Sequence, residues 1–363
     1  ASLFLVASEK SSTVSLKNCT FDNSNSQYKS SLFYIDTDVS SASLLIDNCS
    51  FTNVKEDGKG GALYLISEKD SSVTISQCNF FLAQSKLNSG HVYAKGSSKL
   101  EIISSSFSNS HSLTTANNED ASSYYFFLMV DIDKSLTIDS CTFNNIIEGA
   151  IHLVIKENTE IMNCNFESKN EGVADVVQKN TAQADASSIE HSTIYINENV
   201  GSFTISGSNF SKVRDTSIIS KGAISSITID HCNFDGELEM SKRPTFMMAV
   251  ISLGNIEILN VKSHNSGGIY IDPSSMISSN SNIKMSHLEV KGSKYGIVYE
   301  PPPSTTTTPE NIDLTNFVFS EVKSAIIMSM TKSVFHIEEG TIDHCDNMIA
   351  NTDHSNGYGI IDI

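Results

Sequence analysis

The stretch Leu44-Leu-Ile-Asp-Asn-Cys-Ser-Phe-Thr-Asn53 (LLIDNCSFTN) decides the fold, because the chain repeats it. The phrase returns as VSLKNCTFDN at 14–23, VTISQCNF at 73–80, LTIDSCTFNN at 136–145, EIMNCNF at 160–166 and ITIDHCNF at 227–234. Aligned on the central apolar residue, the copies fall at Leu16, Ile46, Ile75, Ile102, Ile138, Ile161, Ile205, Ile229, Ile258, Met285, Leu314 and Ile337. That makes twelve copies, spaced 23 to 44 residues apart.

Each copy reads apolar-x-apolar-x-polar-Cys-x-Phe. Alternation with period two holds up to the polar residue and resumes after it, which signals two short strands joined by a sharp bend. β-Branched and aromatic residues fill the strands, and Ser, Asn, Gly and Asp bound them, so a helix is excluded. Units this short cannot bury their own apolar face and stabilise only by stacking. The expectation is an all-β chain: a right-handed parallel β-helix of about twelve rungs, one repeat domain over 1–363 with variable surface loops. At about 4.8 Å per rung the stack would be about 58 Å long.

The bend residue is Asn18, Asn48, Asn163, Asn260 or Asn316, with His, Gln, Ser or Gly in other copies. Asn tolerates the left-handed backbone that a tight bend needs, and its amide can ladder between stacked strands. This two-residue bend with stacked Asn resembles that of pectate-lyase-like β-helices. A third, glycine-led strand lies between the phrases: GGALYLI (60–66), EGAIHLVI (148–155), KGAISSI (221–227), GGIYI (267–271) and YGIVY (295–299). Together with Cys-x-Phe-x-Asn it resembles the repeats of polymorphic outer-membrane proteins and their protist counterparts. Those repeats carry Phe-x-x-Asn, whereas here the spacing is Phe-x-Asn, at Phe51/Asn53, Phe107/Asn109 and Phe143/Asn145. The resemblance implies a β-helix displayed at a surface.

Composition narrows the partners. The net charge is −18, and arginine occurs only as Arg214 and Arg243. Nucleic-acid binding needs a cationic face that this chain lacks. The longest apolar run, Tyr124–Val130, is far short of the roughly 18 residues a membrane span requires. The numbering shows no leader peptide and opens on a strand-like phrase, so the chain reads as a processed or excised piece of something longer. An extracellular or cell-surface location is expected.

The loops 111–123, 178–192 and 301–310 absorb the variation in rung length. The last, PPPSTTTTPE, is either a stiff surface loop or an O-glycosylated tract on Thr305, Thr306, Thr307 and Thr308. Three N-glycosylation sequons begin at Asn18, Asn48 and Asn209. The bend turns the first two toward the amide ladder, which leaves Asn209 as the best acceptor.

Cys19, Cys49, Cys78, Cys141, Cys164 and Cys232 share one repeat position. Ser105 and Ser208 stand there in two copies, and Val261, Leu288, Phe317 and Gly340 in the last four. Apolar replacements say that the slot faces inward, so buried free thiols are expected. Bridges Cys19–Cys49, Cys49–Cys78 or Cys141–Cys164 are the alternative. A line of single thiols makes no metal tetrahedron, and no cofactor is expected. Phe21, Phe51, Phe80, Phe107, Phe143, Phe166, Phe210 and Phe234 form an inward aromatic column two residues on. Between the columns an outward row runs through Thr20, Ser50, Asn79, Ser106, Thr142, Asn165, Asn209 and Asn233. It is a solvated face or a strip for glycans, with ice binding disfavoured by the unequal rungs.

The pectate-lyase-like resemblance brings enzymes into question. Lyases of that kind imply a basic residue, commonly Arg, beside calcium-holding carboxylates. Arg214 and Arg243 have no such acidic cluster around them. Polygalacturonase-like hydrolases imply Asn-Thr-Asp, Asp-Asp, Gly-His-Gly and Arg-Ile-Lys in order; only Asn351-Thr-Asp353 is present. His231, His264, His287, His336 and His344 occupy scattered repeat positions and read as surface or bend residues. The expectation is no enzyme, with a stacked carboxylate pair as the remaining catalytic route.

The opening ASLFLVASEKSSTVSLKNC aligns with GALYLISEKDSSVTISQC (61–78), and the closing NGYGIIDI matches the start of that phrase. Both ends then lie in the glycine-led strand. Leu3, Leu5, Ile360, Ile361 and Ile363 become candidate assembly residues, because uncovered strand edges invite pairing. The reading is a non-enzymatic structural β-helix, continued by a second copy stacked head to tail or by further repeats of its own chain. A glycan-binding adhesin is the alternative, and a polysaccharide lyase or hydrolase the second.

Overall fold

A computed structural model describes residues 3–6, 12–26, 33–36, 42–56, 61–85, 89–109, 111–112, 126–147, 149–168, 192–197, 200–213, 216–236, 248–265, 268–272, 282–299, 311–328, 334–351 and 360–362. Strands pair in parallel, coil upon coil, as a parallel β-helix requires. The chain divides into two compact units, Ala1–Tyr195 and Ile196–Ile363. Among the described residues no helix is long and apolar enough to cross a membrane. The loop tips 113–123, 178–191 and 301–310 lie outside the described residues.

The central apolar residues form one in-register column within each unit. In the first, Leu16, Ile46, Ile75, Ile102, Ile138 and Ile161 pair in succession. In the second, Ile205, Ile229, Ile258, Met285, Leu314 and Ile337 do the same. Alternation dictates this register, since a one-residue slip would turn every apolar side chain outward.

After each central residue the chain bends through a left-handed position. It is held by Asn18, Asn48, Gln77, Ser104, Ser140, Asn163, Gly207, His231, Asn260, His287, Asn316 and Glu339, with φ between 49° and 57°. Glu339 is outside the residue types expected there. The strand that follows places Phe21, Phe51, Phe80, Phe107, Phe143 and Phe166 in one column of the first unit. Neighbouring rings stack with centroids 4.8 to 5.2 Å apart. In the second unit Phe210 and Phe234 stack at 4.6 Å, and Ser263, Val290, Phe319 and Ile342 continue their column.

A second left-handed bend closes that strand, at Asn23, Asn53, Leu82, Asn109 and Asn145 in the first unit. The Phe-x-Asn spacing marks this corner. A short parallel ladder of Asn25–Ser26, Lys55–Glu56, Gln84–Ser85 and His111–Ser112 follows it. The glycine-led strands form the remaining wall, with Leu3, Phe33, Leu63 and Val92 in one register column. Glycine leads because successive coils approach closely at this corner: a Cβ on Gly61 would collide with the carbonyl oxygen of Gly90 in the next coil.

One expectation is corrected. The closing strand Ile360–Asp362 pairs with Val334–His336, in the column that precedes the first bend. The glycine-led column instead runs through Asn347–Asn351, paired with Ser324–Met328. Glycine followed by alternating apolar residues fits both walls, so the phrase did not distinguish them.

Candidate functional site

The surface that repeats most regularly lies on the strand after the first bend. Alternation there turns one residue out between two inward ones, so the Phe column and the polar row occupy opposite faces. Thr20, Ser50, Asn79, Ser106, Thr142 and Asn165 stand in register, one per coil. Thr20, Asn79 and Asn165 are exposed and the rest half-buried. The Ser106 hydroxyl donates to Asn79 Oδ1 at 2.7 Å. In the second unit Asn233 Nδ2 donates to Asn209 Oδ1 at 2.8 Å. The strip is therefore an axial ladder of neutral hydrogen-bonding groups.

Where this strip meets the first bend there is a shallow groove of about 320 Å³, lined by Asn18, Cys19, Thr20, Asn48, Cys49, Ser50, Gln77 and Asn79. Two of the sequons meet here. Asn18 and Asn48 are exposed, and Asn48 Nδ2 donates to Asn18 Oδ1 at 2.6 Å. Further along, the bend amides turn to the preceding coil's aspartate: Asn163 to Asp139 and Asn260 to Asp230, both at 2.9 Å. The third sequon residue, Asn209, is exposed and accepts the Asn233 amide.

In later coils the same strand changes character. Lys262 and His264 face Glu289, at 3.7 and 3.0 Å, and Lys291 reaches Glu321 at 3.5 Å. Charge pairs replace the neutral ladder. His231, His287 and His344 occupy left-handed bends, and His264 and His336 are half-buried strand residues. Arg214, Arg243 and Asp353 lie outside the described residues, as do Thr305, Thr306, Thr307, Thr308 and Ile363. Leu3 and Leu5 stand in the strand Leu3–Val6 and Ile360 and Ile361 in Ile360–Asp362.

All seven cysteines are free thiols. Cys49, Cys78, Cys141, Cys164 and Cys232 are buried, and Cys19 is half-buried. Each of these sulfurs donates to the backbone carbonyl two residues earlier, as in Cys78 to Ser76 at 3.1 Å and Cys49 to Asp47 at 3.3 Å. Ser105 and Ser208 repeat the contact at 3.0 Å. The slot thus takes a small donor that ties down a carbonyl across the bend. Burial pushes the Cys78 thiol up to about 12 and that of Cys232 up to about 11. The seventh thiol, Cys345, occupies the matching slot after the second bend, behind His344.

Sequence reasoning missed two imidazoles packed against aromatic rings, one buried and one half-buried. His91 is fully buried beside Phe80, Phe107 and Phe127, at 5.9, 5.9 and 5.3 Å between centroids. Neither ring nitrogen has a hydrogen-bond partner. Burial lowers its pKa to about 3, and the nearby Ser108 backbone offsets little of that. His152, against Phe126 and Tyr195, is lowered to about 4 by burial. His91 fills a slot that is buried in neighbouring coils too, at Ala62 and Ala150, just before the alternating part of the strand begins, so alternation alone does not foretell it.

No curated protein matches the chain, and no solved structure does. Residues 5–189, just over half of the chain, match the family described as the right handed beta helix region. With parallel coils stacked in register around an aliphatic and aromatic core, this chain belongs to the right-handed β-helix family.

Proposed function

We propose that this chain is a non-enzymatic structural β-helix of an extracellular or cell-surface assembly. The observation that carries the reading is the unbroken register of its columns: coil follows coil with the same residue types at the same heights. A parallel ladder of this kind is extended by any further coil that presents the same phrase. That coil can come from the same polypeptide or from a second copy stacked head to tail. The neutral outward ladder suits a solvated, display-type face, since its groups hydrogen-bond along the axis instead of converging on one point.

Assembly is the test. Proline removes a ladder donor and is tolerated poorly within a sheet. Leu3→Pro and Ile361→Pro should therefore abolish higher-order species in sedimentation velocity while leaving the far-ultraviolet strand signal intact. Unchanged sedimentation of both variants, or a monomeric parent protein, contradicts stacking.

The groove at Asn18, Asn48 and Asn79 favours a second reading, a module that binds glycan chains along the polar strip. Saturable polysaccharide binding, weakened by Asn79→Ala, supports it. A polysaccharide lyase or hydrolase would instead shorten the polymer, and would lose that activity on carboxylate substitution.

A further inference from the structure

The polar wall carries one aromatic ring that the core does not use. In the third coil the strand after the first bend is Asn79–Phe81, whose residues are in turn exposed, buried and half-buried. Phe80 points inward, stacked between Phe51 and Phe107 with centroids 4.8 Å away. Phe81 therefore shares the outward parity of Asn79, and among the described residues no aromatic ring packs on it. Its register column reads Asp22, Thr52, Phe81, Ser108, Asn144 and Glu167. The ring interrupts a row that is otherwise polar.

A second departure adjoins it. Leu82, half-buried, follows at φ 55°, where Asn53 and Asn109 hold the same bend in the neighbouring coils. A bulky residue in left-handed backbone is strained, and an outward phenyl adds nothing to the core. Two local rules thus break at adjacent residues of one coil, which is how a site kept for something other than stability looks.

The surroundings of the ring select its ligand. Thr52 and Ser108 stand one coil to either side, about 4.8 Å away. Asn79 lies two residues back, about 6.6 Å along the strand. The Ser106 hydroxyl occupies its Oδ1 at 2.7 Å, which leaves the Nδ2 hydrogens for a ligand. Beyond Asn79 the face runs into the groove past Gln77, Asn48 and Asn18. No charged residue stands on this outer face in the second, third or fourth coil, where it reads Ser50, Thr52, Asn79, Phe81, Ser106 and Ser108. One ring framed by hydroxyls and an amide lacks the contiguous apolar centre of a protein interface. It matches a pyranose, whose C–H face meets the electron-rich face of a phenyl ring while its hydroxyls reach the polar rim. An anionic polymer finds no cation there, and the net charge of −18 repels it.

We propose that Phe81 is the stacking platform of a site for a neutral polysaccharide, with Asn79, Thr52 and Ser108 as its hydrogen-bonding rim. This site rests on the glycan-binding reading above and gives it a ligand class and a centre.

Affinity electrophoresis in native gels containing hydroxyethylcellulose, galactomannan or polygalacturonate tests it. The parent protein is expected to be retarded by a neutral polymer and not by polygalacturonate. Phe81→Ser should weaken that binding about tenfold, and Phe81→Tyr, which keeps the ring, should retain it. Ser108 fills the equivalent position in the next coil, so Phe81→Ser should fold, and circular dichroism checks that it does. Undiminished binding by Phe81→Ser overturns the platform and leaves the glycan-binding reading standing. Stronger retardation by polygalacturonate than by the neutral polymers overturns the ligand class. Retardation by none of the three removes the glycan-binding reading and the platform with it.

Discussion

The coils over 42–168 and those over 254–320 solve one problem in two ways. Both turn through a left-handed residue, and both must fill the space behind it. In the earlier coils the filler is a thiol or hydroxyl that donates to the carbonyl two residues back, at 3.0 to 3.3 Å. In the later coils Val261, Leu288 and Phe317 occupy the slot, each 2% exposed, and bulk replaces the donor. The slot therefore accepts either a small donor or apolar bulk, and the neighbouring coil adjusts to whichever is used. Growth to Phe317 has a consequence one coil on: a Cβ on Gly340 would run into the Phe317 ring.

The largest effect should come from removing that ring. Phe317→Ala empties a buried slot above a glycine and should cost about 3–5 kcal/mol of stability by denaturant titration. If Gly340 is small because of Phe317, adding Gly340→Val to that variant should recover part of the loss. Gly340→Val alone should destabilise.

Next in size is the reverse exchange. Cys78→Leu puts the later coils' filler into an earlier coil, losing the donor and overpacking the column, for about 1–3 kcal/mol. Cys78→Ser should cost less, because Ser105 already makes the same contact in the adjacent coil. Equal losses for the two variants would break the distinction between donor and bulk at this slot.

The earlier coils also bury His91. Its folded pKa, about 3, lies below the ordinary 6.5, so the unfolded chain binds the extra proton. Stability is then fully present above about pH 6.5 and falls as pH drops toward 3. His91→Leu should flatten the stability profile in that window and add about 1 kcal/mol at pH 7, since an orphaned buried donor is removed. An unchanged profile would mean that His91 is not the acid-sensitive group. The smallest change concerns Leu82, a bulky residue at φ 55° where the equivalent coils carry Asn53 and Asn109. Leu82→Asn should stabilise by about 1 kcal/mol, read as a higher melting temperature.

The contrast also shows what a sequence can disclose. Leu16 through Ile337 were legible as one repeated position because period-two alternation fixes which face is buried. The Phe column and its outward polar neighbours follow from the same parity. The second bend was half visible: Asn53, Asn109 and Asn145 stood in the Phe-x-Asn spacing, but Leu82 and Lys212 take the same backbone with no residue signal. His91 was hidden because its slot, buried also at Ala62 and Ala150, precedes the alternating run and so escapes the parity rule. The closing strand was misplaced because two walls of a coil share one local pattern. The groove at Cys19 and Cys49 arises from side chains 30 residues apart in sequence that only stacking brings together.

Cryo-electron microscopy of the native material tests the central claim most directly. The account predicts particles joined end to end, with a layer spacing of about 4.8 Å along the axis and the Phe column resolved inside. Dispersed particles without end contacts, at concentrations where the intact protein is abundant, would contradict the assembly role and put the glycan-binding surface first.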